Sequence, residues 1–163
     1  MYPNKDVMNK TQILSMLESV TDPEIPSVSI VDLGIITSVE CTDEIIVTMT
    51  PTFVGCPAID VMKSDIEKTL SILDQKVTVL VNYDEPWNSN RISEKGKLAL
   101  KKFGLAPPPE YTTVLDLDIL YNVACPYCNS KDTNLRNPFG PTLCRSIHYC
   151  NSCMQAFEQF KPV

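Results

Sequence analysis

Ile45-Ile46-Val47-Thr48-Met49 is a short β-branched run, and beyond it the spacing changes: Ile59, Met62, Ile66, Leu70 and Leu73 recur every three or four positions. The first pattern predicts a strand and the second an amphipathic helix with one apolar face. Thr50-Pro51-Thr52-Phe53-Val54-Gly55-Cys56-Pro57 joins them. Pro57 suits the first helical position, where its missing N–H is no loss. That makes Cys56 the expected N-cap, with its sulfur at the positive end of the helix dipole and the thiolate favoured. Gly55 opens the turn before it. The structural alternative is a small apolar residue at a strand–helix junction.

The same patterning extends outwards. Ile13, Leu14, Leu17 and Val20 mark a first helix over 9–20, capped by Asn9 with Gln12 reaching back. Asp22-Pro23 ends it, and Pro26 follows, so 22–30 reads as an ordered loop carrying Asp22 and Glu24. Val31-Asp32-Leu33-Gly34-Ile35-Ile36 leads into a strand that ends near Glu40 and turns at Thr42-Asp43-Glu44 into the strand before Cys56. Cys41, beside that turn, reads as structural. Lys76 to Tyr83 is a third strand, and Trp87 is expected to pack a loop against the sheet. Ser93 caps a last helix carrying Leu98, Ala99 and Phe103, with Lys101 and Lys102 at its C-terminal end and Gly104 as the stop. The order α-β-β-α-β-α predicts an α+β domain over 5–105.

Pro107-Pro108-Pro109 begins a stiff linker over 106–120. Val114 to Tyr121 could add a strand to either neighbour. Residues 121–163 contain little to make a core, and a metal is a standard remedy for so small a unit. Cys125-Pro126-Tyr127-Cys128 and Cys150-Asn151-Ser152-Cys153 are two C-x-x-C knuckles. Two knuckles aim four thiolates at one point, the tetrahedral sulfur set of a structural zinc ribbon. Strands are expected over 133–136, 143–149 and 156–160. The rivals are a rubredoxin-like iron site and a redox dithiol, which would not need the second pair. Cys144 and His148 lie between the knuckles; with the zinc shell already full, they read as a packing cysteine and a surface histidine.

Composition narrows the function. The chain has 163 residues, seven cysteines and a formal net charge of -6. No apolar run is long enough to span a bilayer and no signal-peptide core is present, so a cytoplasmic, membrane-free protein is expected. In a reducing compartment seven cysteines suggest metal ligation or reactive thiols before disulfides. The acidic balance argues against nucleic acid as a partner. A Ser-His-Asp set, a phosphate loop and the Glu-x-x-His motifs of di-iron bundles are absent from the sequence, so no catalytic residue is expected.

Asp22-Pro23-Glu24-Ile25-Pro26, Val31-Asp32-Leu33-Gly34-Ile35, Thr50-Pro51-Thr52, Gly55-Cys56-Pro57 and Pro86-Trp87 together resemble the iron–sulfur assembly domain family that includes SufT. Arg91 to Lys97, Phe103 to Pro108, Phe139 to Cys144 and the two knuckles resemble its PaaD (PaaJ) branch, so the resemblance covers nearly the whole chain. It implies a small iron–sulfur assembly-type domain followed by a β zinc ribbon. It also implies an accessory role beside the multicomponent epoxidase of phenylacetyl-CoA, with no enzymatic activity of its own. That role is maturation: iron–sulfur cluster or iron insertion into an epoxidase component, the reductase first, alongside the iron–sulfur assembly machinery. The alternative is a non-catalytic structural subunit of the monooxygenase. Cys56 matches the family's motif cysteine, with Asp22, Glu24, Thr52 and Gly55 as its supporting motif. The implied cofactors are structural zinc at Cys125, Cys128, Cys150 and Cys153 and a transient iron–sulfur cluster or iron at Cys56. A cluster wants about four protein ligands, so one thiol would need a homodimer, a partner or small thiols to complete it.

Overall fold

The computed structural model describes residues 8–110 and 121–162. Helix α1 (Lys10–Leu17) starts with the expected reciprocal cap: Gln12 N–H donates to Asn9 Oδ1 at 3.0 Å, and Asn9 N–H donates to Gln12 Oε1 at 2.9 Å. It closes at Leu17, earlier than expected. Residues 22–30 are not a loop: β1 (Thr21–Asp22) and β2 (Ile25–Ser29) form an antiparallel hairpin. Asp22 makes the turn, its Oδ1 accepting the N–H groups of Glu24 at 2.7 Å and Ile25 at 3.1 Å. Pro26 is tolerated because this two-stranded sheet leaves it on an exposed edge. Ile25 and Val28 turn inwards, joined by Ile30 just beyond the strand.

Strands β3 (Ile36–Cys41) and β4 (Glu44–Met49) form the expected hairpin, and β5 (Lys76–Val81) lies parallel to β4, giving the order β3-β4-β5. Parallel pairing needs a crossover, supplied by helix α2 (Ile59–Leu70). Alternation along β4 buries Ile45, Val47 and Met49 against Ile59, Met62, Ile66 and Leu70 of α2 and Ile13 and Leu17 of α1.

Helix α3 (Glu94–Phe103) is capped by Ser93 and stopped by Gly104 at φ +97°. Its buried positions are Gly96 and Leu100, while Leu98 is 69% exposed and Phe103 is also exposed. The inward face is therefore rotated from the one expected, because α3 presses its backbone onto the turn after β2. A Cβ on Gly96 would come within 2.6 Å of the Asp32 carbonyl oxygen. Ser93 N–H donates to that same carbonyl at 2.8 Å, and Ser93 Oγ donates to Asp32 Oδ1 at 2.7 Å. Trp87 packs as expected, 3% exposed with Nε1–H donating to the Leu33 carbonyl at 3.1 Å.

Directly after α3, β6 (Leu105–Ala106) joins the C-terminal sheet. It runs parallel to β9 (Gln155–Phe160), which pairs with β8 (Arg145–Cys150) and then β7 (Thr133–Asn137). These last three strands fall close to the expected positions. The strand considered over Val114–Tyr121 lies, apart from Tyr121, outside the described residues. Phe160 of β9 joins the main core and stands edge-on to Trp87, with ring centroids 5.8 Å apart. A smaller core of Ala106, Val123, Cys125, Cys150 and Phe157 lies under the knuckles.

Candidate metal centre and acidic thiol cluster

Each knuckle is a tight turn that closes on a residue in the left-handed region, Asn129 after Cys128 and Met154 after Cys153, both at φ 60°. Main-chain bonds hold the first: Asn129 N–H donates to the Cys125 carbonyl and Cys125 N–H to the Ser130 carbonyl, each at 2.9 Å. Asn151 ties the second to Asp132, N–H to carbonyl at 2.9 Å and Nδ2 to Oδ1 at 2.8 Å. The four sulfurs of Cys125, Cys128, Cys150 and Cys153 lie within 4.8 Å of one another. Cys125 and Cys153 are 3.7 Å apart, and Cys128 and Cys150 are 3.5 Å apart. A tetrahedron with Zn–S bonds of about 2.3 Å has sulfurs about 3.8 Å apart, so the set fits a zinc-sized ion. Backbone N–H groups of Cys153 and Ser152 bring Cys150 down to about 7. Burial beside the other three sulfurs pushes Cys153 up to about 12. Four thiols so close cannot all ionise alone, and a dication removes the conflict.

Cys56 is not the N-cap. Helix α2 begins at Ile59 with Ala58 at the cap, in helical conformation and without a side-chain bond. Gly55 does turn through φ +85°, but the chain then makes one more turn, closed by Ile59 N–H to the Cys56 carbonyl at 3.3 Å. The half-buried sulfur has the Ala58 N–H as a backbone partner. Burial raises its pKa above that of an ordinary thiol despite that hydrogen bond, and the charges of Asp22, Cys144 and Glu24 raise it further. These surroundings favour the thiol over the expected thiolate. Thr52 lies on the same loop and lines a cavity of about 200 Å³ with Phe53, Tyr83, Pro86 and Trp87.

The fold thus brings Asp22, Glu24, Gly55 and Cys56 to one end of the assembly-like unit and adds Cys144 from the ribbon. Cys144 is also half-buried. Burial raises its pKa, the Thr142 hydroxyl at 3.1 Å and Arg145 oppose this, and Asp22 and Glu24 add to it. Arg145 is the strap between the units: Nη2 donates to the Glu24 carbonyl at 2.9 Å and Nη1 pairs with Glu158 at 3.0 Å. Sequence reasoning passes over this arginine, while its reading of Cys144 as a packing cysteine holds: the residue packs against the main core. An arginine at the start of a ribbon strand, directly after an unassigned cysteine, is the available signal. His148 is a second correction. It is 0% exposed, not on the surface, stacked on Phe157 with centroids 5.4 Å apart, and its Nε2 lies 2.9 Å from Ser146 Oγ. It points away from solvent because β8 is one of the sheet's two interior strands and its even positions face inwards.

Residues 116–161 match the PaaD zinc β-ribbon domain, and residues 10–81 match the iron–sulfur cluster assembly protein family. A protein of Escherichia coli (strain K12), provisionally named as one of the subunits of 1,2-phenylacetyl-CoA epoxidase, is 31% identical over 152 residues, covering 92% of this chain and 91% of its own. The Fe-S protein maturation auxiliary factor YitW of Bacillus subtilis is 33% identical over 95 residues, 56% of this chain and 92% of its own. Among solved structures, a domain of unknown function from Bacillus anthracis is 34% identical with a TM-score of 0.52, covering 56% of this chain and 90% of that one. A conserved hypothetical protein of Thermotoga maritima is 27% identical with a TM-score of 0.51, covering 63% and 100%. Among the described residues no helix is long and apolar enough to cross a membrane.

Proposed function

The chain belongs to the PaaD family, in which an iron–sulfur assembly domain is joined to a zinc β-ribbon, and from that premise we propose that it is an accessory maturation factor in phenylacetate catabolism. It assists the insertion of an iron–sulfur cluster or iron into a component of phenylacetyl-CoA epoxidase, the reductase being the first client. Zinc at Cys125, Cys128, Cys150 and Cys153 supplies folding energy to the ribbon and takes no part in the transfer.

The observation that carries the reading is Cys56, half-buried on a glycine-hinged loop beside Asp22 and Glu24. A thiol held neutral among carboxylates is a poor nucleophile. It is, however, suited to exchanging its proton for a soft cation, since the cation relieves the repulsion that keeps the proton on. The relatives that share the assembly domain include proteins named as Fe-S maturation auxiliary factors. Asp22 has a second task, since its Oδ1 shapes the hairpin turn that presents Glu24.

The test is Cys56→Ser. The side chain is small and lies outside the main fold's hydrogen-bond ladder, so folding and zinc content should stay close to those of the parent. Growth on phenylacetate should stop, and the reductase should accumulate without its cluster. Normal growth with a fully loaded reductase would refute the role of Cys56.

A further inference from the structure

The loop that leads to Cys56 also walls a cavity of about 200 Å³, which it shares with the stretch that follows β5. The rings of Phe53, Tyr83, Pro86 and Trp87 line it, with the Thr52 hydroxyl and the Glu85 carboxylate as polar groups. Trp87 is buried, whereas Tyr83 is 52% exposed and Val54 is 80% exposed, so apolar groups stand at the cavity's mouth. An exposed apolar cluster rimmed by polar groups marks an interaction site. Glu85 and its neighbour Asp84 are both exposed. Arg91 reaches Glu85 only at 3.7 Å, and an exposed pair of that length holds the carboxylate weakly. Cys56 follows Val54 by two residues, so at most about 7 Å of chain separates the cavity wall from the thiol.

We propose that this cavity docks a basic side chain of the client protein, arginine above all, and so places the client beside Cys56. The proposal rests on the role given to Cys56 above and adds the chemistry by which the client is held. Aromatic faces attract a cation, and arginine fills that role more often than lysine. Its flat guanidinium stacks on rings while its N–H fork meets a carboxylate. A leucine or phenylalanine would suit the rings but would strip water from Glu85 without pairing it. An acidic side chain would meet Asp84 and Glu85 as like charges. A basic side chain satisfies both parts of the lining: its stem and face lie on the rings, and its N–H groups donate to Glu85 and Thr52. The formal net charge of -6 draws a basic partner from a distance.

The probe is the peptide acetyl-Gly-Arg-Gly-amide, titrated into the full zinc-loaded, isotope-labelled chain and followed by NMR. The same peptide with citrulline, equal in shape but uncharged, and with leucine are the comparisons. Trp87 is the single tryptophan, so its indole N–H gives one signal at the cavity. The arginine peptide should shift that signal and the amides of Val54, Tyr83 and Glu85 to saturation, and the other two peptides should not. Glu85→Gln and Tyr83→Ala lie at exposed positions that leave the core intact. Each should weaken the arginine peptide by about 2–5-fold, the worth of one exposed cation contact. Added salt should weaken the parent's binding as well. A parent that never saturates, equal binding of the citrulline or leucine peptide, or variants that bind like the parent overturns the proposal. In cells the double variant should lower the cluster content of the reductase. A double variant that loses the peptide yet fills the reductase like the parent overturns the docking and leaves the role of Cys56 standing. Normal growth of Cys56→Ser on phenylacetate removes that role, and the docking of a client with it, even where the peptide still binds.

Discussion

Phe160 lies on the last ribbon strand but is 1% exposed within the core of the assembly-like unit. Phe160→Ala removes its ring, together with the edge-on contact to Trp87 at a centroid distance of 5.8 Å, and leaves a cavity between the units. A buried Phe→Ala change costs about 3–5 kcal/mol, of which the ring-pair geometry accounts for about 0.5–1.5 kcal/mol. For a chain of 163 residues, each kcal/mol lowers the melting temperature by about 2–4 °C, so a fall of about 6–20 °C is expected. Trp87 is the single tryptophan, so its fluorescence reads this contact directly. Zinc release to a chromogenic chelator reads the ribbon. Because Phe160 and β6 join the units, both signals should move together in one transition. A loss below about 1 kcal/mol, or zinc release in a separate transition untouched by the substitution, would refute the view that the two units melt as one.

Three further outcomes follow from the same contacts. Cys128→Ser should lose the ribbon metal and lower the melting transition that the two units share, because metal binding there is folding energy; full zinc by elemental analysis would show that another ligand set is in use. Gly34→Ala should destabilise by about 1–3 kcal/mol or more in urea unfolding, since Gly34 sits at φ +67° and a Cβ there would come within 2.6 Å of the Arg91 carbonyl oxygen; an unchanged midpoint would contradict that packing. Asp32→Asn should lower stability at neutral pH. Burial raises the Asp32 pKa, but bonds from Ser93, Ser29 and Lys95 outweigh it and hold the carboxyl below its ordinary value. A depressed folded pKa stabilises above the unfolded value and is lost as pH falls through the folded one, so the difference between parent and variant should shrink below about pH 4. A difference that grows in acid would reverse the assignment.

Periodicity, caps and cysteine spacing are local signals, and the elements that depend on them were legible in the chain. The Asn9–Gln12 box, the Ser93 and Gly104 ends of α3, the existence and order of β4, α2 and β5, and the two knuckles each follow from residues a few positions apart. The motif residues around Cys56 were legible through family likeness. Their environment was not, because it depends on groups far away in sequence. Two residues moved the start of α2, and with it the dipole that was to ionise Cys56. Burial and the distant charges of Asp22, Glu24 and Cys144 then set the thiol's state instead. The inward face of α3 was decided by the Asp32 carbonyl against which Gly96 packs, and the burial of His148 by the strands on either side of β8. What tertiary structure alone decided was the union of the two units. Arg145 reaches Glu24, Phe160 reaches Trp87, and Cys144 reaches the neighbourhood of Cys56. No periodicity encodes such pairings, since side-chain patterns mark which residues face inwards but not which distant residue they meet.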